Sequence, residues 1–315
     1  MTSISKAPGK IILFGEHFVV YDNRAVLGAI DKYAIVTSEK TSTDNILISS
    51  SLGQTSIQKD EVVENVEKKF RPFFYIAKKI INENNFDKGI SIKIESEIPI
   101  GAGLGSSSAC CVAAAASVSN LFSKPTNEEV LQLAIDAEKT IFPNTSGADC
   151  TVSIFGGIIE YQKDKGFSKI ETEHELNFLV VDSEQVHSTE KVVNQVKQFK
   201  EENKQVFLEL CNEEERLISK ALDAMKANDL DTIGKCMAQN QIFLEQIGVS
   251  NDVLLEITKE IEKITFGAKI TGAGGGGCII ALTQKGDDLS EYVNTTKYQT
   301  HHVSIQKTGM QVFNT

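Results

Sequence analysis

A glycine- and serine-rich segment between a predicted strand and a predicted helix constrains the fold of this chain most. It reads Gly101-Ala102-Gly103-Leu104-Gly105-Ser106-Ser107-Ser108. Residues 89–95 before it alternate isoleucine with polar side chains, which predicts a half-buried strand, and the alanine-rich residues 109–121 favour helix. Glycines let the backbone turn its N–H groups inward, and the helix N-terminus adds free donors. The segment therefore predicts a phosphate-binding loop whose serines can reach a phosphate oxygen or a magnesium ion.

The familiar signatures of phosphate loops do not fit this segment. A Walker A loop ends in Gly-Lys-Ser/Thr, whereas Gly105 is followed by Ser106 and Ser107 with no lysine. A dinucleotide-binding fingerprint requires a third glycine where Ser106 stands. For this loop alone, an ordinary strand-to-helix turn capped by serine is an equally good interpretation.

A second glycine cluster, residues 272–277, favours the phosphate-loop interpretation. Gly272, Gly274 and Gly277 satisfy G-x-G-x-x-G, but the apolar residues 278–282 that follow predict a buried strand instead of the helix that a fingerprint needs. One interpretation is a flexible, hairpin-like connection. We favour a wall of bare backbone packed close to a ligand or to the first loop, because glycine permits close backbone approach.

A third segment places charged residues at both ends of a short apolar run. Pro8-Gly9 is a turn signal, and residues 11–14 predict a short buried strand. Lys10 precedes this strand, and Glu16-His17 follow it. A lone lysine is usually a solvated surface residue, but a lysine directly before a buried strand near a phosphate loop could be a fixed cation for a reacting oxygen.

Two carboxylates form the fourth feature. Glu138 comes late in a predicted helix over residues 127–140, and Asp149 lies in a turn before a short apolar strand, residues 152–155. Near a phosphate loop, one carboxylate could hold a metal ion while the other faces an acceptor hydroxyl. Taken singly, each has a plainer interpretation, as a surface glutamate and a turn-capping aspartate.

Together the four segments resemble the GHMP kinase superfamily. The resemblance covers nearly the whole chain, with the motifs in family order: residues 7–10, 101–107, 146–149 and 272–277. Gly15-Glu16-His17, followed by Val19-Val20-Tyr21, is most similar to the opening of the mevalonate kinase family. The resemblance implies an α+β, two-domain GHMP kinase fold with the active site in the cleft between the domains. We place the division in the charged, apolar-poor stretch near residue 175, giving domains 1–175 and 176–315.

The resemblance also implies a role for each matched residue. Asp149 is the catalytic carboxylate, and Lys10 is the lysine that polarises the acceptor oxygen. Ser107 and Glu138 bind Mg²⁺. Glu16 and His17, with Lys10 and Asp149, line the mevalonate side. The ATP phosphates lie against Gly101, Ala102, Gly103, Leu104, Gly105, Ser106, Ser107 and Ser108, with Gly274 and Gly275 of the second loop.

Two stretches depart from the family pattern. Asp22-Asn23-Arg24 replaces the more usual turn with glycine and proline. Residues 186–189 read Val-His-Ser-Thr where many relatives have an arginine, a candidate partner for an anionic substrate. We therefore predict that His187 or a neighbouring hydroxyl lines the acceptor side, His187 acting as a cation only when protonated.

Bulk properties exclude several classes of protein. The net charge of −11 argues against nucleic acid as a partner. No apolar stretch approaches the length of a membrane span, and the six cysteines show no C-x-x-C spacing, so neither zinc nor a disulfide framework is indicated. Glu213, Glu214 and Glu215 are interpreted as a solvated helix face. We expect a cytoplasmic protein, and a homodimer is left open.

The predicted activity is ATP-dependent phosphorylation of the primary hydroxyl of mevalonate, in isoprenoid biosynthesis, with Mg²⁺ as cofactor. One alternative is a related small-molecule kinase that acts on phosphomevalonate or on another position of mevalonate. A second alternative is a non-catalytic nucleotide sensor on the same fold. A sensor would need the glycine loops but neither Lys10 nor Asp149, so their joint presence weighs against it.

Overall fold

A computed structural model describes residues 2–99, 101–172, 174–185 and 188–314. Within these ranges the chain forms twelve strands and nine α-helices, numbered here in chain order, and two short 3-10 helices, Phe18–Tyr21 and Val63–Asn65. The strands are β1 (Thr2–Phe14), β2 (Ala25–Lys40), β3 (Asn45–Ser50), β4 (Gly53–Gln58), β5 (Ile90–Ser96), β6 (Ile158–Gln162), β7 (Gly166–Ile170), β8 (Asn177–Asp182), β9 (Gly267–Thr271), β10 (Cys278–Thr283), β11 (Gln299–Ser304) and β12 (Gln311–Asn314). The helices are α1 (Arg71–Glu83), α2 (Ser106–Asn120), α3 (Asn127–Lys139), α4 (Ala148–Phe155), α5 (Thr189–Glu202), α6 (Lys204–Ala227), α7 (Leu230–Gln246), α8 (Asp252–Ile261) and α9 (Ser290–Thr295).

Two sheets organise the chain. The larger has the order β12-β1-β2-β5-β3-β4, with β6 added on β2 and β7 on β6. The smaller has the order β11-β8-β10-β9. Pairings are antiparallel except between β3 and β5. The last strand, β12, returns to the first sheet beside β1, so both ends of the described chain meet there. The division at residue 175 stays a prediction.

Helix α2 is buried on nearly every side, which accounts for its composition. It packs on β1 and β2 and against α1, α3 and α4. Its run of four alanines, residues 113–116, is fully buried. Small side chains let five neighbours approach one helix closely, as a close-packed interior requires. The N-terminus of α2, with the glycine loop before it, is thereby held in a fixed position.

The main predicted elements are present. The strand before the loop is β5, the alanine-rich helix is α2, the helix bearing Glu138 is α3, and residues 278–282 lie in β10. No helix in the described ranges is long and apolar enough to cross a membrane.

Two local expectations were wrong. Pro8-Gly9 is not a turn: both residues lie inside β1, where the register with β2 shifts between Pro8 and Lys10, and such a bulge tolerates proline. The predicted strand at 152–155 is part of helix α4. The prediction failed because four apolar residues are too few to distinguish the periodicity of a helix from that of a strand. Residues 163–166 of the charged stretch before residue 175 lie at the turn of the β6–β7 hairpin, which does not test the division.

Candidate active site

The first glycine loop has the backbone conformation that its sequence predicts. Gly101, Gly103 and Gly105 have φ angles of 82°, 75° and 75°, in the left-handed region that favours glycine. Gly105 is the residue before the first turn of α2, so the loop ends directly on free helix N–H groups. Ser107 is exposed in this first turn, whereas Ser108 is buried. The arrangement offers backbone donors and a hydroxyl to an anion at one point.

The second glycine loop packs on the first, as one of the two interpretations expected. A Cβ added to Gly103 would lie 3.5 Å from the carbonyl oxygen of Thr271, and one added to Gly272 would lie 3.7 Å from that of Gly103. Gly274 has no room for a side chain, because its Cβ would lie 2.4 Å from the carbonyl oxygen of Val249. Close backbone contact explains the glycine at position 274, and positive φ angles at residues 272 and 274–277 explain why the cluster as a whole is glycine.

Lys10 and Asp149 form an ion pair beside the first loop. Lys10 Nζ lies 3.2 Å from Asp149 Oδ2. The lysine side chain is 5% exposed, but that of the aspartate is 33% exposed. The backbone N–H of Lys10 donates to the carbonyl of Leu104 at 2.9 Å, and Gly105 is so close that its Cβ would lie 2.7 Å from Lys10 Cγ. The loop thus fixes the lysine, and the pair keeps one face open to solvent.

Asp149 owes its position to the start of α4. Gly147 precedes the helix with a φ of 80°, and Asp149 is the acidic residue of the first turn. A carboxylate is favourable there because the helix dipole is positive at its N-terminus. Ser153, further along α4, donates to the carbonyl of Pro8 at 2.6 Å, which ties the helix to the strand that carries Lys10.

Glu138 lies behind this pair. Helix α3 begins with a capping box between Thr126 and Glu129, and Glu138 is near the end of the helix. Its carboxylate accepts hydrogen bonds from the hydroxyls of Ser108 and Thr145. Burial raises the pKa of Glu138, and the nearby Asp149 raises it further. A cation bound here would relieve the repulsion between the two carboxylates.

Glu16 and His17 are buried where β1 ends. The carboxylate of Glu16 pairs with the ammonium of Lys269, and both side chains are fully buried. His17 Nε2 donates to the carbonyl of Ala273, at 2.7 Å, in the second glycine loop. Burial lowers the pKa of His17, which favours the neutral ring. The structure therefore ties both residues to the second half of the chain. Residue His187, predicted for the acceptor side, lies outside the described residues.

Two buried charged residues, one in α6 and one in β9, contact the end of β1 and were not predicted to do so. Glu214 was interpreted as solvated, but it is fully buried and accepts a hydrogen bond from the N–H of Gly15 at 2.8 Å. A signal was available, since Glu214 stands four residues after Leu210 and four before Ile218, on one buried helical stripe. Lys269 could have been found as the lone charge in a buried strand.

The departure at residues 22–24 has a structural role. Arg24 forms ion pairs with Glu215 at 2.6 Å and with Glu160 at 2.9 Å. Asn23 donates to the backbone carbonyl of Cys211 at 2.8 Å. The segment thus fastens the turn before β2 to helix α6.

Family models match both halves of the chain. Residues 69–157 match the N-terminal domain of the GHMP kinases, and residues 221–297 match their C-terminal domain. The mevalonate kinase of Archaeoglobus fulgidus is 36% identical over 280 residues, which cover 89% of this chain and 92% of that protein. The mevalonate kinase of Thermococcus sibiricus is 33% identical over 99% of this chain and 98% of its own length.

Solved structures give the same result. The Methanococcus jannaschii mevalonate kinase superposes with a TM-score of 0.84 at 29% identity, covering 96% of this chain and 98% of that one. The L. major mevalonate kinase, solved in complex with R-mevalonate, superposes with a TM-score of 0.83 at 26% identity, with 96% of each chain covered. The predicted α+β fold is confirmed. The chain belongs to the GHMP kinase family, among relatives that are mevalonate kinases.

Proposed function

We propose that this protein is a mevalonate kinase, which transfers the γ-phosphoryl group of ATP to the primary hydroxyl of (R)-mevalonate and yields 5-phosphomevalonate. One observation carries the proposal. The Lys10–Asp149 pair, open on one face, lies directly against the phosphate loop in a chain whose relatives are mevalonate kinases. A nucleotide sensor has no use for such a pair at this place.

The proposed division of labour follows the demands of phosphoryl transfer. That reaction asks a protein chiefly for positioning and for neutralisation of charge. The N–H groups of residues 101–108 hold the ATP phosphates, and Gly274 and Gly275 close the other side. Lys10 stabilises the acceptor oxygen. Asp149 orients the acceptor hydroxyl and accepts its proton, because its carboxylate is the partly exposed member of the pair.

The residues present fit a magnesium ion. Carboxylate and hydroxyl oxygens are the protein ligands that Mg²⁺ accepts, and it retains several waters. Glu138 supplies a carboxylate whose ionisation burial and Asp149 oppose, so a cation would stabilise it. Ser107, exposed in the first turn of α2, supplies a hydroxyl. When bound, the ion would screen the triphosphate charge. Ser108 supports Glu138 by donating to its carboxylate.

The acceptor side lies around Lys10, Asp149 and the turn that contains Glu16 and His17. His17 offers a neutral ring, so it contributes shape and hydrogen bonding more than charge. His187 is proposed as a partner for the mevalonate carboxylate. The active site then lies between domains divided near residue 175. We place the enzyme in the cytoplasm, since all six cysteines carry free thiols, as is typical of a reducing compartment.

A substrate panel tests the proposal. The purified protein is incubated with ATP, Mg²⁺ and, separately, (R)-mevalonate, phosphomevalonate, galactose or homoserine, and phosphorylated product is measured by mass spectrometry. We expect rapid phosphorylation of mevalonate at its primary hydroxyl and its loss when Mg²⁺ is chelated. A preference for phosphomevalonate would move the function to that kinase. Binding of ATP without turnover of any acceptor would indicate a sensor.

A further inference from the structure

Three ionisable side chains meet in the interior, beside the end of β1. Glu16 follows strand β1, Lys269 lies in β9, and Glu214 lies in α6. All three are at most 1% exposed. We call them the buried charge cluster. The predicted reaction assigns no role to Lys269 or Glu214.

The contacts of the buried charge cluster converge on one short turn. The Lys269 ammonium donates to the carboxylate of Glu16 and, at 2.6 Å, to the carbonyl of Ile270. Glu214 accepts from the N–H of Gly15 at 2.8 Å and from the side-chain amide of Asn240 at 2.7 Å. Gly15 and Glu16 are therefore held by side chains from α6 and β9, both distant in sequence.

Stability alone does not account for the cluster. Removing three ionisable groups from water costs several kcal/mol each, and well-packed apolar side chains of the same volume often serve at least as well. The second carboxylate oxygen of Glu16 is buried with no hydrogen-bond partner among the described residues, so part of this cost is not recovered. What charged groups provide here is a directional constraint on the backbone they bind.

The constrained turn, residues 15–17, lies between β1 and the second glycine loop, which both belong to the proposed site. On one side of the turn, β1 carries Lys10. On the other, β9 leads through Thr271 into the second glycine loop, and the Thr271 hydroxyl bonds both the N–H and the carbonyl of Ile12. His17 has a φ of 63°, a strained value for a residue with a side chain, and donates to Ala273. Such strain persists only where surrounding contacts fix the backbone.

We propose that Lys269 is a positioning residue for the acceptor substrate: through Glu16, and together with Glu214, it fixes the turn at residues 15–17 against the second glycine loop. This inference rests on the proposed function for the identity of the acceptor. The hydrogen bonds of the cluster go to Gly15, Asn240, Glu16 and Ile270, and none of them reaches residues 101–108 of the phosphate loop. Loss of the cluster therefore affects the acceptor more than the nucleotide.

The first test is Lys269→Met, which keeps the length of the side chain and removes its charge. Lys285→Met is the matched control, because Lys285 also pairs with a glutamate, Glu175 at 3.4 Å, but is 82% exposed. We expect Lys269→Met to raise KM for mevalonate about tenfold or more, since a displacement near 1 Å at a reacting centre can cost about a hundredfold. The Kd for ATP, measured by calorimetry, stays within about twofold. The control changes neither constant.

A charge-balanced double variant separates positioning from folding. Lys269→Met alone leaves buried carboxylates without their cation and lowers the unfolding temperature. Combining it with Glu16→Gln removes both charges of the pair, so the unfolding temperature recovers in large part. If the pair positions the turn, KM for mevalonate stays high in the double variant. If KM returns to the wild-type value with the stability, the proposal is overturned.

Hydrogen exchange gives a readout that needs no substrate. In the wild-type protein the amide of Gly15 is protected by Glu214. We expect exchange of the peptide covering residues 14–20 to accelerate in Lys269→Met and in the double variant, while the peptide covering α2 is unchanged. Equal exchange in wild type and variants would refute the positioning role even if mevalonate is the substrate. If the wild-type protein fails to phosphorylate mevalonate, the proposed function is refuted. The exchange result then still shows whether the cluster fixes the turn at residues 15–17.

Discussion

Two lysine–carboxylate pairs in this protein have the same chemistry and opposite surroundings. In the Lys10–Asp149 pair, the aspartate side chain is one-third exposed and the atoms are 3.2 Å apart. In the Lys269–Glu16 pair, both side chains are fully buried. A partly exposed carboxylate can exchange its lysine for a ligand with little rearrangement. A sealed carboxylate cannot, because breaking the pair would leave a bare charge in the interior.

The comparison indicates that burial, more than the identity of the charged groups, decides which pair can take part in the reaction and which pair supports the structure of the site. Lys10 is held by the phosphate loop and presents its partner to the open side. Lys269 is held by β9 and connects the turn after β1 to another part of the chain. Substitutions in the open pair are therefore expected to act on kcat, and substitutions in the sealed pair on acceptor KM and stability.

The largest expected effect comes from Asp149→Asn. The amide keeps the size of the side chain but can neither accept a proton nor pair fully with Lys10. We expect kcat to fall by at least about a hundredfold, the lower range for general acid–base contributions, with the Kd for ATP unchanged. Steady-state kinetics and calorimetry measure the two quantities.

Glu16→Gln is the matched change in the sealed pair. It should leave kcat within about tenfold of wild type, with the loss mainly in acceptor KM. If Glu16→Gln lowers kcat as much as Asp149→Asn does, with the unfolding temperature unaltered, the two pairs do not differ in function as proposed. Near-normal turnover by Asp149→Asn would leave Asp149 only the role of an acidic residue in the first turn of α4.

The next effect concerns Glu138, the carboxylate behind the open pair. Glu138→Gln keeps the hydrogen-bonding shape and removes the charge that attracts a cation. We expect the Mg²⁺ concentration for half-maximal rate to rise at least about tenfold, as for other changes around metal sites, together with a lower kcat. Titration of activity with Mg²⁺ at saturating ATP measures this. An unchanged Mg²⁺ requirement would remove Glu138 from the metal site.

How much of this site the sequence could predict depended on the range of the contacts involved. The loop before α2, the capped start of α3 and the glycines of the second cluster have local signatures, and the structure has them. Pairing between residues far apart has no local signature. Lys269 and Glu16 are 253 positions apart, and Gly15 and Glu214 are 199 apart.

Local reasoning also failed where a tertiary contact overrode a composition rule. Glu214 lies in a run of three glutamates, which ordinarily marks a solvated face, yet Gly15 and Asn240 satisfy its carboxylate in the interior. Pro8-Gly9 ordinarily marks a turn, yet pairing with β2 keeps both in a strand. Hydrophobic periodicity and helix propensity located most of the helices and strands. The order of the strands in the sheets, and the pairing of β12 with β1, could be seen only in the structure.

A smaller effect on rate is expected from Gly105→Ala. Its Cβ would lie 2.7 Å from Lys10 Cγ and 3.2 Å from Cε, so the lysine must shift away from the loop. Gly101→Ala is the control for backbone strain, because Gly101 has a similar φ but nothing within 4 Å of its Cβ. We expect kcat to fall several-fold more in Gly105→Ala than in Gly101→Ala. Equal losses would mean that the two glycines are needed only for their positive φ angles. The loop would then not be what holds Lys10 in position.

The smallest effect on activity, and the sharpest test of the sealed region, comes from the pH dependence of stability. Burial, with a further contribution from Glu16, raises the pKa of Glu214 from 4.5 to about 7, while Lys269 and the hydrogen bonds from Asn240 and Gly15 oppose this. A carboxyl group with a raised pKa in the folded state stabilises the fold below its unfolded pKa. That contribution is lost as pH rises through the folded pKa.

Glu214→Gln removes this titration with little change of shape. The glutamine oxygen can still accept from Gly15, and its amide can donate to Asn240 Oδ1, a buried atom that has no partner among the described residues. We expect the unfolding free energy of wild type minus that of the variant to fall between pH 4.5 and 7, by up to about 3 kcal/mol. Urea unfolding at several pH values measures this difference, in which groups common to both proteins cancel. A difference that is constant with pH would mean that Glu214 is ionised throughout this range. The sealed region would then hold a second negative charge beside that of Glu16.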